Sequence, residues 1–183
     1  NGVQSVYTID LDGDGDKDVL SASSYDDKIA WYENDGTDNF GVQQIISISA
    51  DAAKSVYASD LDGDGDIDVL SASSYDDKIA WYENDGTGIF ASQQIISTAA
   101  NGAWSVYTVD LDGDTDLDVL SASGTDDKIA WYENDGIGNF GVQQIISTDA
   151  NYVRSVYASD LDGDGDLDVL SASNWDNKIA WYE

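Results

Sequence analysis

The sequence predicts an all-β fold, a β-propeller-type array of four-stranded antiparallel blades, and three observations support this. The string SVYxxDLDGD begins at Ser5, Ser55, Ser105 and Ser155, and KIAWYE begins at Lys28, Lys78, Lys128 and Lys178, so the chain repeats every 50 residues. Each unit holds four short β-branched or aromatic runs, with no stretch of helical periodicity to compete. Clusters of Asp, Asn and Gly separate those runs. Four short strands in a unit of this length fit a propeller blade, whereas the coils of a β-solenoid are usually much shorter.

In the first unit the predicted strands are residues 5–10 (SVYTID), 18–24 (DVLSASS), 28–33 (KIAWYE) and 42–47 (VQQIIS). Asn34-Asp35-Gly36 marks a tight turn after the third, because Asn and Gly tolerate positive φ. The 183 residues read as a single repeat domain with blades at 1–50, 51–100, 101–150 and 151–183. The last is incomplete: it lacks the counterpart of strand 42–47, and the four residues before Ser5 are too few to supply it. Three assemblies fit this pattern: a piece of a longer array, a four-bladed ring with one three-stranded blade, or self-association through the incomplete blade. An unpaired strand edge is a template for augmentation, so the last of these leads to a larger ring or a fibre.

The charge balance narrows the partners. Against 37 acidic residues stand 7 basic ones, a formal net charge of −30, which repels phosphate backbones and anionic lipid headgroups and argues against nucleic acid. There is no Cys and no His, which removes disulfides, thiolate chemistry, Ser-His-Asp catalysis and most zinc and copper sites. With no Met, the chain is expected to be a processed product or part of something longer. No apolar run approaches the roughly 20 residues of a membrane span. At 42% hydrophobic and 11% aromatic the chain should fold, provided that something neutralises its charge.

That charge is concentrated between the first and second strands of each unit. The first loop reads Asp10-Leu11-Asp12-Gly13-Asp14-Gly15-Asp16-Lys17-Asp18, five carboxylates in nine residues. Two unit charges 4 Å apart repel by about 4 kcal/mol at an effective dielectric near 20, so such a cluster calls for a cation. Oxygen-only donors select a hard ion, and Ca²⁺ accepts six to eight oxygens in flexible geometry where Mg²⁺ demands a tight octahedron. An EF-hand would place Glu at loop position 12, but that position is Ser21 and the flanks are strands. The expected metal is therefore Ca²⁺, about four ions, one per repeat.

DLDGDGDKDVLSAS resembles the Asp-rich loop of FG-GAP/VCBS-type repeats, the blades of integrin α-subunit-like β-propellers, and KIAWYENDG resembles the strand and turn that follow it. The resemblance covers all four units. It implies Ca²⁺ held by side chains at loop positions 1, 3, 5 and 9 and by a backbone carbonyl at position 7. In the first unit those are Asp10, Asp12, Asp14 and Asp18, with Asp16 giving its carbonyl. The second offers Asp60, Asp62, Asp64 and Asp68, with Asp66; the third, Asp110, Asp112, Asp114 and Asp118, with Asp116. The fourth offers Asp160, Asp162, Asp164 and Asp168, with Asp166. The third loop departs from the others by having Thr115 where they have Gly15, Gly65 and Gly165. If that position needs positive φ, Thr is strained by about 1–2 kcal/mol and its site weakened.

Trp31, Trp81, Trp131 and Trp181 recur with the unit, as do Tyr7, Tyr57, Tyr107 and Tyr157, and both sets are expected in the core between blades. Lys28, Lys78, Lys128 and Lys178 are expected to pair with neighbouring carboxylates. Variation between units gathers in two stretches. One precedes the first predicted strand: Gly2-Val3-Gln4, Ala52-Ala53-Lys54, Gly102-Ala103-Trp104 and Tyr152-Val153-Arg154. The other joins the second and third strands: Ser24-Tyr25, Ser74-Tyr75, Gly124-Thr125 and Asn174-Trp175. In an up-and-down blade both lie at the end opposite the acidic loops, so Trp104, Tyr152, Arg154 and Trp175 form a candidate face for a protein or glycan ligand.

Together these features predict a secreted or cell-surface, non-enzymatic, calcium-stabilised repeat module with a structural or adhesive role. The alternative is a carbohydrate-binding accessory module of a secreted polysaccharide-degrading enzyme. A glycosidase working through paired carboxylates is disfavoured, because no pair of acids stands apart from the repeated pattern.

Overall fold

The computed structural model describes residues 2–37 and 39–183. Among these described residues fifteen strands fall into four antiparallel sheets. The first contains β1 (Val3–Ile9), β2 (Asp18–Ser23), β3 (Lys28–Tyr32) and β4 (Gln44–Ser47), in that spatial order. The second repeats it with β5 (Ala53–Ser59), β6 (Asp68–Ser73), β7 (Lys78–Tyr82) and β8 (Gln94–Ser97). The third has β9 (Ala103–Val109), β10 (Asp118–Ser123), β11 (Lys128–Tyr132) and β12 (Gln144–Ser147). The fourth sheet has three strands, β13 (Val153–Ser159), β14 (Asp168–Ser173) and β15 (Lys178–Tyr182).

Each sheet is a blade, and its register explains the repeating aromatics. Leu20 pairs with Tyr7 on one side and Trp31 on the other, so the three side chains share one face. That face packs on the next blade: Leu20, Ile29 and Trp31 join Val56, Ala58, Val69 and Tyr82 in one buried cluster. Leu70, Ile79 and Trp81 meet Val106, Val119 and Tyr132 in the same way, and Leu120 and Ile129 meet Val156 and Val169. The inner strands β1, β5, β9 and β13 lie against one another in sequence. Tyr7, Tyr57, Tyr107 and Tyr157 run along them in tilted contact, with ring centroids 4.6, 5.1 and 4.8 Å apart. They are not core as expected: the first three are half-buried and Tyr157 is exposed, because they line the inner edge of the row and not the seam between sheets.

The expected all-β array of repeated antiparallel sheets is thus present, but the described residues form an open row rather than the closed ring of a propeller. Val6 is 64% exposed, whereas its counterparts Val56, Val106 and Val156 are buried. At the other end Ile179 is 84% exposed, whereas Ile29, Ile79 and Ile129 are fully buried. The same position changes the fate of the tryptophans. Trp31 and Trp81 are core and Trp131 is half-buried, but Trp181 is 51% exposed because no further blade covers it.

Two boundaries differ from expectation. The inner strands start about two residues early, at Val3, Ala53, Ala103 and Val153. A bulge sits there: Val3 faces Ser23 and Ser5 faces Ala22, leaving Gln4 as the extra residue, and the same irregularity recurs in every blade. The variable stretches placed before the first strand therefore lie partly within it. The outer strand starts at Gln44 rather than at 42, where Val42 is 86% exposed. Among the described residues no helix is long and apolar enough to cross a membrane.

Candidate metal centres

The connection from inner to second strand places each acidic loop at one end of its blade. Turns organise it. In the first loop the N–H groups of Gly13 and Gly15 donate to the two oxygens of Asp10, at 2.8 and 2.9 Å. Asp14 N–H donates to Asp12 Oδ1 at 3.3 Å, and Asp16 N–H donates to Asp14 Oδ1 at 2.9 Å. These Asx-type turns curl the chain so that alternate carboxylates converge.

Asp18 closes the loop from within the sheet. It is buried, and its two oxygens accept the N–H groups of Leu11 and Asn34, each at 2.9 Å. Asp68 accepts Leu61 and Asn84, and Asp118 accepts Leu111 and Asn134. Burial pushes Asp68 up to about 7 and Asp118 up to about 6; the two N–H donors oppose that rise and neighbouring loop carboxylates add to it. Each carboxylate oxygen has a second lone pair that an N–H does not use.

Carboxylate oxygens of Asp10, Asp12 and Asp18 lie within 4.8 Å of one another, as do those of Asp60, Asp62 and Asp68, of Asp110, Asp112 and Asp118, and of Asp160, Asp162 and Asp168. Four Asp triads, one per repeat, can therefore hold metal ions. The donors are all oxygen, and at Asp68 and Asp118 burial, with the neighbouring carboxylates adding to it, favours the neutral form that a bound cation would oppose. Asp14, Asp64 and Asp114 bond along the loop through the N–H of Asp16, Asp66 and Asp116. In the fourth unit Asp164 also gathers with Asp162 and Glu183. The carboxylates of Asp16, Asp66 and Asp116 lie against Gly36, Gly86 and Gly136, where a Cβ would collide with them.

Thr115 does adopt the left-handed backbone, with φ of 85° against 96° at Gly15 and 97° at Gly65. Its N–H still donates to Asp110 Oδ2, at 3.0 Å, so the third loop keeps the turn despite the strain.

One element of the site was not anticipated as functional. Asn84 and Asn134 are buried, and besides meeting Asp68 and Asp118 through their backbones they reach into the preceding blade. Asn84 Nδ2 donates to Leu11 O at 2.7 Å and Ile67 O at 2.9 Å; Asn134 Nδ2 does the same to Leu61 O and Leu117 O, at 2.7 and 3.0 Å. The Asn of the NDG turn thus links one blade's acidic loop to the next. The only signal in the sequence was its recurrence every 50 residues.

A family model described as the FG-GAP-like repeat matches residues 10–71, 60–121 and 110–171, each span running from one acidic loop to the second strand of the next blade. The chain belongs to the FG-GAP-like repeat family. Two solved structures share the fold of this FG-GAP-like chain. One is an Agrocybe aegerita lectin, described as specifically recognising non-reducing terminal N-acetylglucosamine; it matches at TM-score 0.65 and 21% identity over 91% of this chain and 46% of that one. The other is a V. cholerae biofilm matrix protein, at TM-score 0.51 and 22% identity over 100% of this chain and 31% of that one. The FG-GAP-like chain therefore spans less than half the length of either. No curated protein sequence matches it.

The opposite end, where the second strand turns into the third, has another character. Lys28, Lys78, Lys128 and Lys178 pair with Asp26, Asp76, Asp126 and Asp176, at 3.3, 2.9, 2.8 and 3.2 Å. The four residues of the predicted ligand face come together there. Trp104 and Tyr152 have centroids 6.5 Å apart, Tyr152 stacks on Trp175 at 4.3 Å, and Arg154 lies over both Trp104 and Tyr152.

Proposed function

We infer that this chain is an extracellular, non-enzymatic repeat module with a structural or adhesive role, stabilised by one Ca²⁺ in each acidic loop. The observation that supports this most is the fourfold repetition of an all-oxygen Asp triad whose buried member also holds the loop's backbone. Asp10, Asp12 and Asp18 and their counterparts would hold the ion, with Asp14 and the Asp16 carbonyl completing the oxygen set that the family resemblance implies. The ion would supply the positive charge that five clustered carboxylates lack. Likeness to a biofilm matrix protein supports the extracellular setting. The test is a calcium titration of metal-free protein followed by its folding signal: saturable uptake of about four ions, with a coupled gain in melting temperature, supports the reading, and no uptake overturns it.

Self-association belongs to the same proposal. The uncovered face around Val6 matches the faces that Val56, Val106 and Val156 present to a preceding blade, and the uncovered Ile179 and Trp181 match the faces that receive them. A further blade of the same kind, docking head to tail, would bury both.

The second reading, a carbohydrate-binding accessory module, is favoured by the aromatic cluster at the turn end and by likeness to a lectin. Binding of soluble oligosaccharides by the calcium-loaded chain distinguishes it from a purely structural module.

A further inference from the structure

Charge is divided unequally between the two ends of the blades. Lys28, Lys54, Lys78, Lys128, Arg154 and Lys178, six of the seven basic residues, stand where strands begin at the turn end, while the acidic loops crowd the other. Four of those cations are paired with the turn aspartates. Lys54 and Arg154 are not part of that pattern. They sit at the bulge position of β5 and β13, the blades on either side of β9, whose bulge residue is Trp104.

The bulge turns these three side chains into one row. Lys54 Nζ is 4.8 Å from the Trp104 ring centre, and the Arg154 guanidinium carbon is 3.3 Å from it. Arg154 also lies 3.8 Å from the Tyr152 ring, which stacks at 20° on Trp175. Arg154 Nη1 is buried with no hydrogen-bond partner among the described residues. Burial and the nearby Arg154 together hold Lys54 below the usual lysine value. Tyr152 adds a cost: its φ is 58°, where the first and third units place Gly2 and Gly102. A bulky residue in that region is strained by about 1–2 kcal/mol, and packing within the blade does not require it, since Gly serves elsewhere. The neighbouring carboxylates are occupied: Asp127 Oδ1 accepts Tyr152 N–H at 2.8 Å and Asp126 Oδ2 takes Lys128.

We propose that Lys54, Trp104, Arg154, Tyr152 and Trp175 form a binding site for an acidic saccharide, one bearing a carboxylate or sulfate on a pyranose ring. Lys54 and Arg154, which have no carboxylate partner among the described residues, receive the anion, with Arg154 turning its unpartnered Nη1 towards it. The flat aromatic surface, with Trp175 67% exposed, offers itself to the C–H face of a sugar. This deepens the second reading of function by naming the ligand's charge. An acidic peptide would share the anion but has no such face to stack, and it becomes an outcome of the test.

The experiment is calorimetric titration of the calcium-loaded chain with a glucuronate-containing tetrasaccharide, its carboxyl-reduced counterpart, a sulfated tetrasaccharide and oligoglutamate, with tryptophan fluorescence as a second readout. The glucuronate sugar or the sulfated one is expected to bind at least about tenfold more tightly than the neutral sugar, and their ratio identifies the anion. Lys54→Gln and Arg154→Gln should each weaken binding of the acidic sugar by about tenfold, and Trp175→Ala should weaken acidic and neutral sugars alike. Melting temperature and calcium uptake should be unchanged in all three, which separates this site from the metal loops at the far end. Equal affinity for charged and neutral sugars, no binding of either acidic sugar by folded protein, variants without effect, or oligoglutamate binding as tightly as the sugars would each overturn the proposal.

Discussion

Asn84 Nδ2 donates to the carbonyl of Leu11 at 2.7 Å, joining residues 73 positions apart and two consecutive blades through the backbone of an acidic loop. The same amide holds Ile67 O, and the Asn84 N–H holds Asp68. One buried side chain therefore couples the geometry of two loops to the packing between their blades.

Asn84→Ala takes the amide donor from one buried and one part-buried carbonyl and is expected to destabilise the calcium-loaded chain by about 2–3 kcal/mol. Asn134→Ala should match it, because Asn134 repeats both bonds. Asn34 is only half-buried and its amide reaches Lys17 O at 3.1 Å within its own blade, so Asn34→Ala should be clearly milder. Urea unfolding of the three variants side by side reads the difference, and equal effects would remove the link between blades.

How much of this was legible in the sequence follows from which interactions are local. The loop at Asp10–Asp18 and the strands around it are written into one 50-residue unit and its repeats, so blade, loop and turn could all be read from spacing. Contacts between blades are not local: nothing in NDG announces that Asn84 reaches Leu11, or that the Gly88 backbone leaves no room for a Cβ beside Trp31. The bulge at Gln4 escaped detection because an inserted residue breaks alternation only once. Its consequence was to place Lys54, Trp104 and Arg154 in a strand rather than before it. Trp181 was expected in the core with its counterparts, since repetition shows equivalent positions but not whether a neighbour covers them.

Removing the metal should be the most disruptive single change. An ion at about a hundredfold excess over its Kd stabilises the folded state by about 2.7 kcal/mol for each site. Tm moves by about 2–4 °C per kcal/mol in a chain of this size, so emptying four sites should lower it by about 20 °C or more. Scanning calorimetry with and without chelator measures this, and restored calcium should recover the original transition where equimolar magnesium recovers little. An unchanged melting curve would refute the proposed role of the loops.

Thr115→Gly should stabilise the chain. The left-handed φ at position 115 strains a residue with a Cβ by about 1–2 kcal/mol, and the N–H bond to Asp110 does not depend on the side chain. Glycine loses more entropy on folding, which takes back part of the gain, so a net increase of about 1 kcal/mol is expected. Chemical denaturation in saturating calcium checks the sign. Thr in place of Gly15 should have the opposite effect by a similar amount, because open space around Gly15 leaves backbone strain as the dominant change.

The two uncovered blade faces make the last prediction. Between blades, Val56 and Ile29 are both removed from water, whereas Val6 and Ile179, the corresponding residues at the two ends of the row, remain mostly exposed. Burying an aliphatic side chain stabilises by about 1.5–3 kcal/mol, and Trp181 and Leu161 would add to the same face. A head-to-tail contact uses two different faces, so it does not close on itself in a dimer and extends with concentration. Sedimentation of the calcium-loaded chain should therefore show mass rising with concentration. Val6→Glu alone or Ile179→Glu alone should hold the chain monomeric, since either one places a charge against an apolar surface. Because each variant still has one intact face, it should also cap growth when mixed with unaltered chain. Mass that stays monomeric at every concentration, or assembly untouched by both substitutions, would rule the head-to-tail contact out.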